Sequence, residues 1–134
     1  MIDVIIVDDE PLIRDGLVKL FSWKDYQMQV SAVFPNGSLA LEYLEKHAAD
    51  IIITDICMPE MDGLQFMEEA AKENPGIKVI LLTGYAEFEY ARKALTLGAL
   101  DYLLKPLNPD RMRAVLEKAF QEISEERLLA SQKE

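Results

Sequence analysis

The sequence predicts an α/β fold: a doubly wound, five-stranded parallel sheet with helices on both faces. Two observations predict it. Val4-Ile5-Ile6-Val7, Ile51-Ile52-Ile53 and Val79-Ile80-Leu81-Leu82 are apolar at consecutive positions, a pattern that belongs to strands covered on both faces, as in a parallel sheet. A helical pattern follows each of these runs, and the strand-then-helix unit recurs five times along the 134 residues, which implies parallel strands joined by right-handed crossovers. Half of the residues are apolar, enough for a single domain with a substantial core.

The elements follow in order. Val4 to Val7 is the first strand and ends in Asp8-Asp9-Glu10; Pro11 then opens an amphipathic helix containing Leu12, Ile13, Leu17, Leu20 and Phe21, since proline suits a first helical turn. Met28 to Phe34 is part alternating and part continuous, as expected of a strand nearer a sheet edge. Asn36-Gly37-Ser38 supplies a turn and cap for a helix with Leu39, Ala40, Tyr43 and Leu44, and His47 falls at its solvated end. The run Asp50 to Asp55 is the third strand. Pro59, Asp62 and Gly63 mark the loop after it, and a helix through Leu64, Phe66, Met67, Ala70 and Ala71 stops near Asn74-Pro75-Gly76. Lys78 to Leu82 closes on Thr83-Gly84, and a helix from Phe88 to Leu97 is ended by Gly98. Asp101 to Leu104 leads into Lys105-Pro106, and Asn108 caps a last helix with Met112, Val115, Leu116, Ala119, Phe120 and Ile123 on one face. From about Ser124 that face thins, so the domain is expected over residues 1–123. Residues 124–134 then form a helical extension or linker, a frayed tail being the plainer alternative.

Composition narrows the function. Fourteen Lys and Arg against 24 Asp and Glu give a formal net charge of -10, which argues against this segment itself neutralising nucleic-acid phosphates. A single cysteine, Cys57, excludes an internal disulfide and a cysteine-based metal cage. No apolar stretch approaches the roughly 20 residues of a membrane span, and the chain opens on strand residues rather than a signal sequence. A soluble, cytoplasmic protein with no membrane partner is expected.

The strand ends carry the chemistry. In a parallel sheet all carboxyl ends open on one edge, where ligands of such folds bind. Here they bear Asp8 and Asp9, Asp55, Thr83 and Lys105. Singly, each has a bland account: an Asp closing a strand often serves a turn, and acids at a helix start favour its dipole. Together they suit phosphoryl transfer to a carboxylate, with Asp55 as acceptor. Acids would bind Mg²⁺, joined by the Cys57 main-chain carbonyl, a lysine would neutralise phosphoryl oxygens, and the Thr83 hydroxyl would donate to them.

Asp8-Asp9 with Glu10-Pro11, Asp55 followed by Met58-Pro59 and Asp62-Gly63, Thr83-Gly84, and Asp101-Tyr102-Leu103-Leu104-Lys105-Pro106 stand in an order and spacing that resembles the receiver domain of two-component response regulators. The resemblance implies a flavodoxin-like sheet of strand order 2-1-3-4-5. Asp55 would become a 4-aspartylphosphate, with Mg²⁺ held by Asp8, Asp9, Asp55 and the Cys57 carbonyl. Thr83 and Lys105 would contact the phosphoryl group, Thr83 and Tyr102 would switch, and the Lys105–Pro106 peptide would be cis. A sensor histidine kinase would be the phosphodonor, and a homodimer would form through the fourth helix and fifth strand. Such a domain is no conventional enzyme, being limited to Mg²⁺-dependent self-phosphorylation and slow autodephosphorylation. The stretch from Thr83 through Ala91 and on to Pro106 resembles regulators with an AraC-type helix-turn-helix output domain, so DNA would be reached only through a module not in this chain and the output would be transcriptional. A stand-alone relay is the alternative.

Other readings fit less well. Aspartyl-phosphate phosphatases on similar sheets place a second Asp two residues after the nucleophile, where this chain has Cys57. A nucleotide- or flavin-binding domain would need a Gly-rich loop where Asp8-Asp9-Glu10-Pro11 stands. A scaffold that only resembles a receiver need not keep the acids, Thr83 and Lys105 together. The resemblance also implies that Cys57 and Tyr85, each two residues beyond a site residue, flank the phosphoryl group, where they would slow its hydrolysis; an outward-pointing Tyr85 serving only an interface is the alternative.

Overall fold

The structure, a computed structural model, describes residues 1–58, 60–84 and 87–132. Tyr85, expected beside the phosphoryl group, lies outside the described residues. The elements are β1 (Ile2–Val7), α1 (Pro11–Leu20), a 3-10 turn (Trp23–Tyr26), β2 (Met28–Phe34), α2 (Gly37–Lys46), β3 (Ile51–Asp55), α3 (Gly63–Glu73), β4 (Lys78–Thr83), α4 (Phe88–Thr96), β5 (Asp101–Leu104) and α5 (Pro109–Gln132). Five parallel strands stand in the order β2-β1-β3-β4-β5, as the sequence predicts.

The continuous apolar runs resolve into two cores by the period-2 alternation of a strand. Val4, Ile6, Ile51, Ile53, Ile80, Leu82 and Leu103 pack with Leu17 of α1 and with Met112, Val115, Leu116, Ala119 and Ile123 of α5. Ile5, Val7, Ile52, Val79 and Leu81 pack on the other face with Ala40 and Leu44 of α2, Phe66, Met67 and Ala70 of α3, and Ala91 and Ala94 of α4. β1, β3 and β4 are therefore buried nearly throughout. β2, at the sheet edge, alternates instead.

Leu12 departs from expectation: it is 86% exposed. The inward stripe of α1 runs through Ile13 and Leu17 at i, i+4, and Leu12 stands one position, about 100°, off it. Leu39 and Ala71 leave the expected stripes of α2 and α3 in the same way and are exposed.

Local signals set the element ends. Asn36 caps α2 through its side-chain oxygen, 2.9 Å from the Leu39 N–H, and Asp62 forms a reciprocal capping box with Gln65 at α3. His47 is the C-cap of α2 and stacks on Tyr43 with ring centroids 4.5 Å apart. Gly98 ends α4 with φ +113°, a backbone conformation open to glycine. The 3-10 turn Trp23–Tyr26 has no periodic signature; it buries Trp23, whose indole N–H donates to the Leu17 carbonyl at 3.2 Å. α5 is one continuous helix of 24 residues.

Candidate functional site

Three chains of alternation converge at the carboxyl edge of the sheet. Asp8 continues the side of Val4 and Ile6, Asp55 that of Ile51 and Ile53, and Lys105 that of Leu103, so all three emerge over the same core. Thr83 follows Val79 and Leu81, the opposite alternation. Pairing of β3 with β1 and β4 places Asp55 beside these ends. The backbone continues the ladder past them: Ile56 N–H donates to the Leu82 carbonyl at 3.0 Å, and Lys105 N–H to that of Thr83 at 2.8 Å.

Gly63 lets the loop after β3 close. A Cβ there would lie 2.8 Å from the Ile56 Cα and 3.3 Å from the Asp55 carbonyl oxygen, while the Gly63 N–H donates to the Ile56 carbonyl at 2.8 Å. Only a residue without a side chain tolerates that approach to backbone.

Lys105 is the centre of charge. Its Nζ lies 3.2 Å from Asp55 Oδ2, 3.3 Å from Asp8 Oδ2 and 3.3 Å from Glu10 Oε1. Asp55 is 7% exposed, and its other oxygen accepts the Cys57 N–H at 3.1 Å. Asp8 is fully buried; Oδ1 accepts the Glu10 N–H at 2.8 Å, and its main-chain carbonyl accepts from Arg14 Nη1 at 2.6 Å. Burial pushes the Asp8 carboxyl above the usual carboxylate range and the Asp55 charge adds to this, against the opposing pull of the Glu10 N–H and Lys105. Burial alone would lower the Lys105 ammonium, but the charges of Asp55 and Asp8 and the bonds to Asp55 and Glu10 outweigh it, so the shift is upward. A lysine held in its charged form, facing partly desolvated acids, is the result.

The donor set suits a hard divalent cation. Asp8, Asp9, Glu10 and Asp55 offer oxygens that all lie within 4.8 Å of one another. Asp8 Oδ2 is buried and, although ion-paired to Lys105, accepts no hydrogen bond; a cation bound by oxygen ligands would satisfy it.

The structure thus brings together Asp8, Asp9, Asp55 and Lys105, and Cys57 joins through its main chain. The Thr83 hydroxyl, at the end of the neighbouring strand, donates to the Gly84 carbonyl at 3.1 Å. Tyr102 stands apart, its ring edge-on to Phe88 at 6.1 Å and facing the Arg111 guanidinium at 5.8 Å. The Lys105–Pro106 peptide is cis. Glu10 belongs to the cluster; the run of three acids after β1 already suggests a divalent-cation site, although the ligand set implied by the resemblance stops at Asp9.

The chain matches the response regulator receiver domain family over residues 4–117. It is 34% identical over 123 residues to the transcriptional regulatory protein YesN of Bacillus subtilis, covering 92% of this chain and 33% of YesN. To the transcriptional regulatory protein HptR of Staphylococcus aureus it is 32% identical over 126 residues, 94% of this chain and 49% of HptR. It therefore spans between a third and a half of these relatives. Among solved structures, the REC domain of AraT, a response regulator from Geobacillus stearothermophilus, superposes with a TM-score of 0.88 at 40% identity, covering 93% of this chain and 97% of that one. The two component transcriptional regulator AraC from Clostridium phytofermentans does so with 0.87 at 31% identity, covering 95% and 98%. With its sheet order, its acid cluster at the carboxyl edge and this match over most of its length, the chain belongs to the response regulator receiver domain family.

Proposed function

We propose that this domain is a phosphorylation switch in which Asp55 accepts a phosphoryl group from a phosphohistidine of a sensor kinase. One observation carries the reading: a nearly buried carboxylate, Asp55, is held between a main-chain N–H and an ammonium that also faces Asp8 and Glu10. In the reaction an Asp55 carboxylate oxygen gives its electron pair to phosphorus as the P–N bond to the donor imidazole breaks, and the imidazole nitrogen keeps that bond's pair and takes up a proton. The Cys57 N–H and Lys105 orient Asp55, and Lys105 would then exchange its pairing with Asp55 for the arriving phosphoryl oxygens. Asp8, Asp9, Asp55 and the Cys57 carbonyl would hold Mg²⁺, whose chemistry there would be to offset negative charge on those oxygens. The Thr83 hydroxyl would leave Gly84 for the phosphoryl group.

The relatives' names support a transcriptional output. On this reading residues 1–123 are the switch, 124–134 extend α5 toward a DNA-binding module of the whole protein, and dimers form through α4 and β5. The cytoplasm is the compartment in which kinase and DNA are both met. A net charge of -10 supports leaving DNA contact to that further module.

Intact-mass measurement with acetyl phosphate and Mg²⁺ tests the acceptor. Wild type should gain one phosphate and Asp55→Asn none, because an amide is no nucleophile here. Asp9→Ala should lose incorporation at low Mg²⁺ and recover it at high Mg²⁺. Undiminished phosphate on Asp55→Asn would overturn the assignment.

A further inference from the structure

Gly84 is held at both ends of its own backbone. Its N–H donates to Glu87 Oε2 at 3.0 Å, and its carbonyl accepts both the Thr83 hydroxyl at 3.1 Å and the Glu87 N–H at 3.2 Å. The carboxylate sits hard against the glycine: a Cβ at Gly84 would lie 2.9 Å from Glu87 Oε2. Glu87 immediately precedes α4, yet its side chain caps none of that helix's N–H groups. Gly84 itself stands at the carboxyl edge beside Asp55, which pairs with Leu82 across β3 and β4. Glu87 therefore holds the Gly84 peptide two residues past the Asp55–Leu82 pair, at the carboxyl edge that carries Asp55.

We propose that Glu87 is a positioning residue for phosphoryl acceptance, holding the Gly84 peptide, and with it Thr83, in the resting arrangement until a phosphoryl group at Asp55 displaces its carboxylate. This rests on the Asp55 reading. An aspartyl phosphate brings a charge of about -1.5 to -2 to the mouth of the site, and a carboxylate there is repelled in a partly desolvated setting. Withdrawal of Glu87 frees the Gly84 N–H as a donor to a phosphoryl oxygen. It also leaves the Gly84 N–H end free to turn, which loosens the Gly84 carbonyl held by the Thr83 hydroxyl. Because α4 starts at Phe88, the release is passed to the first turn of the helix on the face proposed for dimerisation. The resting carboxylate opposes phosphoryl entry, and it sets how far the unphosphorylated domain stays in its resting state.

Three variants separate charge from contact. Glu87→Gln keeps an acceptor for Gly84 and loses the charge; Glu87→Ala loses both; Gly84→Ala keeps the charge and forces the carboxylate away. Phosphate incorporation from acetyl phosphate at saturating Mg²⁺, followed by intact mass, should be roughly three- to tenfold faster than wild type in Glu87→Ala and Glu87→Gln. In ¹H–¹⁵N spectra without phosphodonor, the residue 83 amide of Gly84→Ala and Glu87→Ala should move toward its position in the phosphorylated wild type, while that of Glu87→Gln stays near the resting one. Rates within about twofold of wild type for both Glu87 variants, or a Gly84 amide that phosphorylation leaves unmoved in wild type, would overturn the proposal. Failure of the Asp55 reading shows itself differently, as phosphate retained by Asp55→Asn.

Discussion

The Lys105 ammonium and the Asp55 carboxylate meet at 3.2 Å across 50 residues of sequence, and the same ammonium is shared with Asp8 and Glu10. Removing it leaves three acids facing one another. Lys105→Met should therefore cost about 1–3 kcal/mol of folding stability at neutral pH and low salt, the range for breaking a partly buried charged hydrogen-bond network. Urea unfolding checks this, and divalent cation should restore part of the loss. The pH dependence has a definite sign. The folded-state shift of Lys105 is upward, so its stabilisation is fully present below the ordinary lysine pKa and is lost only as pH rises through the higher folded value. Wild type and Lys105→Met should converge only in strongly alkaline solution.

Asp8 predicts the opposite sense. Burial raises its carboxyl pKa, so the ionised form is disfavoured by folding and Asp8 weakens the metal-free domain at neutral pH. Asp8→Asn should raise stability without Mg²⁺ by roughly 0.5–2 kcal/mol, as expected where a buried charge is neutralised without loss of volume. That advantage should shrink as pH falls through the raised folded pKa, because wild-type Asp8 then protonates. Thermal unfolding from pH 7 down to pH 4 reads it, and titration with Mg²⁺ should reverse the order of the two proteins.

Gly63 is required for a reason of space. In Gly63→Ala the new Cβ meets backbone atoms of Ile56 and Asp55, not a side chain that can swing aside. The loop after β3 must shift, at a cost of about 1–3 kcal/mol. Asp55 moves with it. Slower phosphate incorporation, together with a lower urea midpoint, is the expected result; an unchanged rate and midpoint would show that the loop yields freely.

What the sequence made legible was whatever follows a fixed period. The runs at Val4, Ile51 and Val79 specify a sheet covered on both faces, and the same alternation carries Asp8, Asp55 and Lys105 to one side of it. Leu12 misled because an apolar residue near a stripe is not on it unless it keeps the i, i+4 step, as Ile13 and Leu17 do. Glu10 was visible as the third acid of its run but its pairing with Lys105 was not, since that depends on where a flexible side chain comes to rest. Glu87 was less visible still. Its contact with Gly84 depends on where a flexible side chain comes to rest, and a single Glu before a helix usually reads as a dipole-stabilising acid.

The outer end of α5 is held by charge. Beyond Ile123, the last buried residue of the helix, Arg127 pairs with Asp50 at 3.1 Å and Glu126 with Lys78, which also lies 3.7 Å from Glu122, one residue before Ile123. Leu128 and Leu129 are 58% and 59% exposed, so little apolar burial helps. Exposed ion pairs contribute about 0.2–1 kcal/mol each and are screened by salt. Raising ionic strength to about 1 M should speed amide exchange several-fold over residues 126–132 and leave 112–123 unchanged. Lys78→Met should do the same at low salt.

The final prediction concerns Tyr102, whose movement on phosphorylation would carry the signal to the α4 and β5 face. Its ring is half-buried, edge-on to Phe88 with an interplanar angle of 84°, and packed near the Arg111 guanidinium. Arg111 is itself anchored, donating to Asp101 Oδ1 at 2.8 Å and to the Tyr102 carbonyl at 3.3 Å. These contacts favour the resting ring position, and a cation–π contact of this exposure is worth about 0.5–1 kcal/mol. Arg111→Ala should thus move the two-state equilibrium of the ring about two- to fivefold toward the phosphorylated position in the absence of phosphate. Fluorotyrosine labelling reads that population directly, with the Tyr102 resonance assigned by its loss in Tyr102→Phe. Phosphorylation of wild type should shift the same resonance in the same direction. If Arg111→Ala leaves the resonance in place while phosphorylation moves it, the resting ring is held by Phe88 alone, and Phe88→Ala should then produce the shift that Arg111→Ala did not.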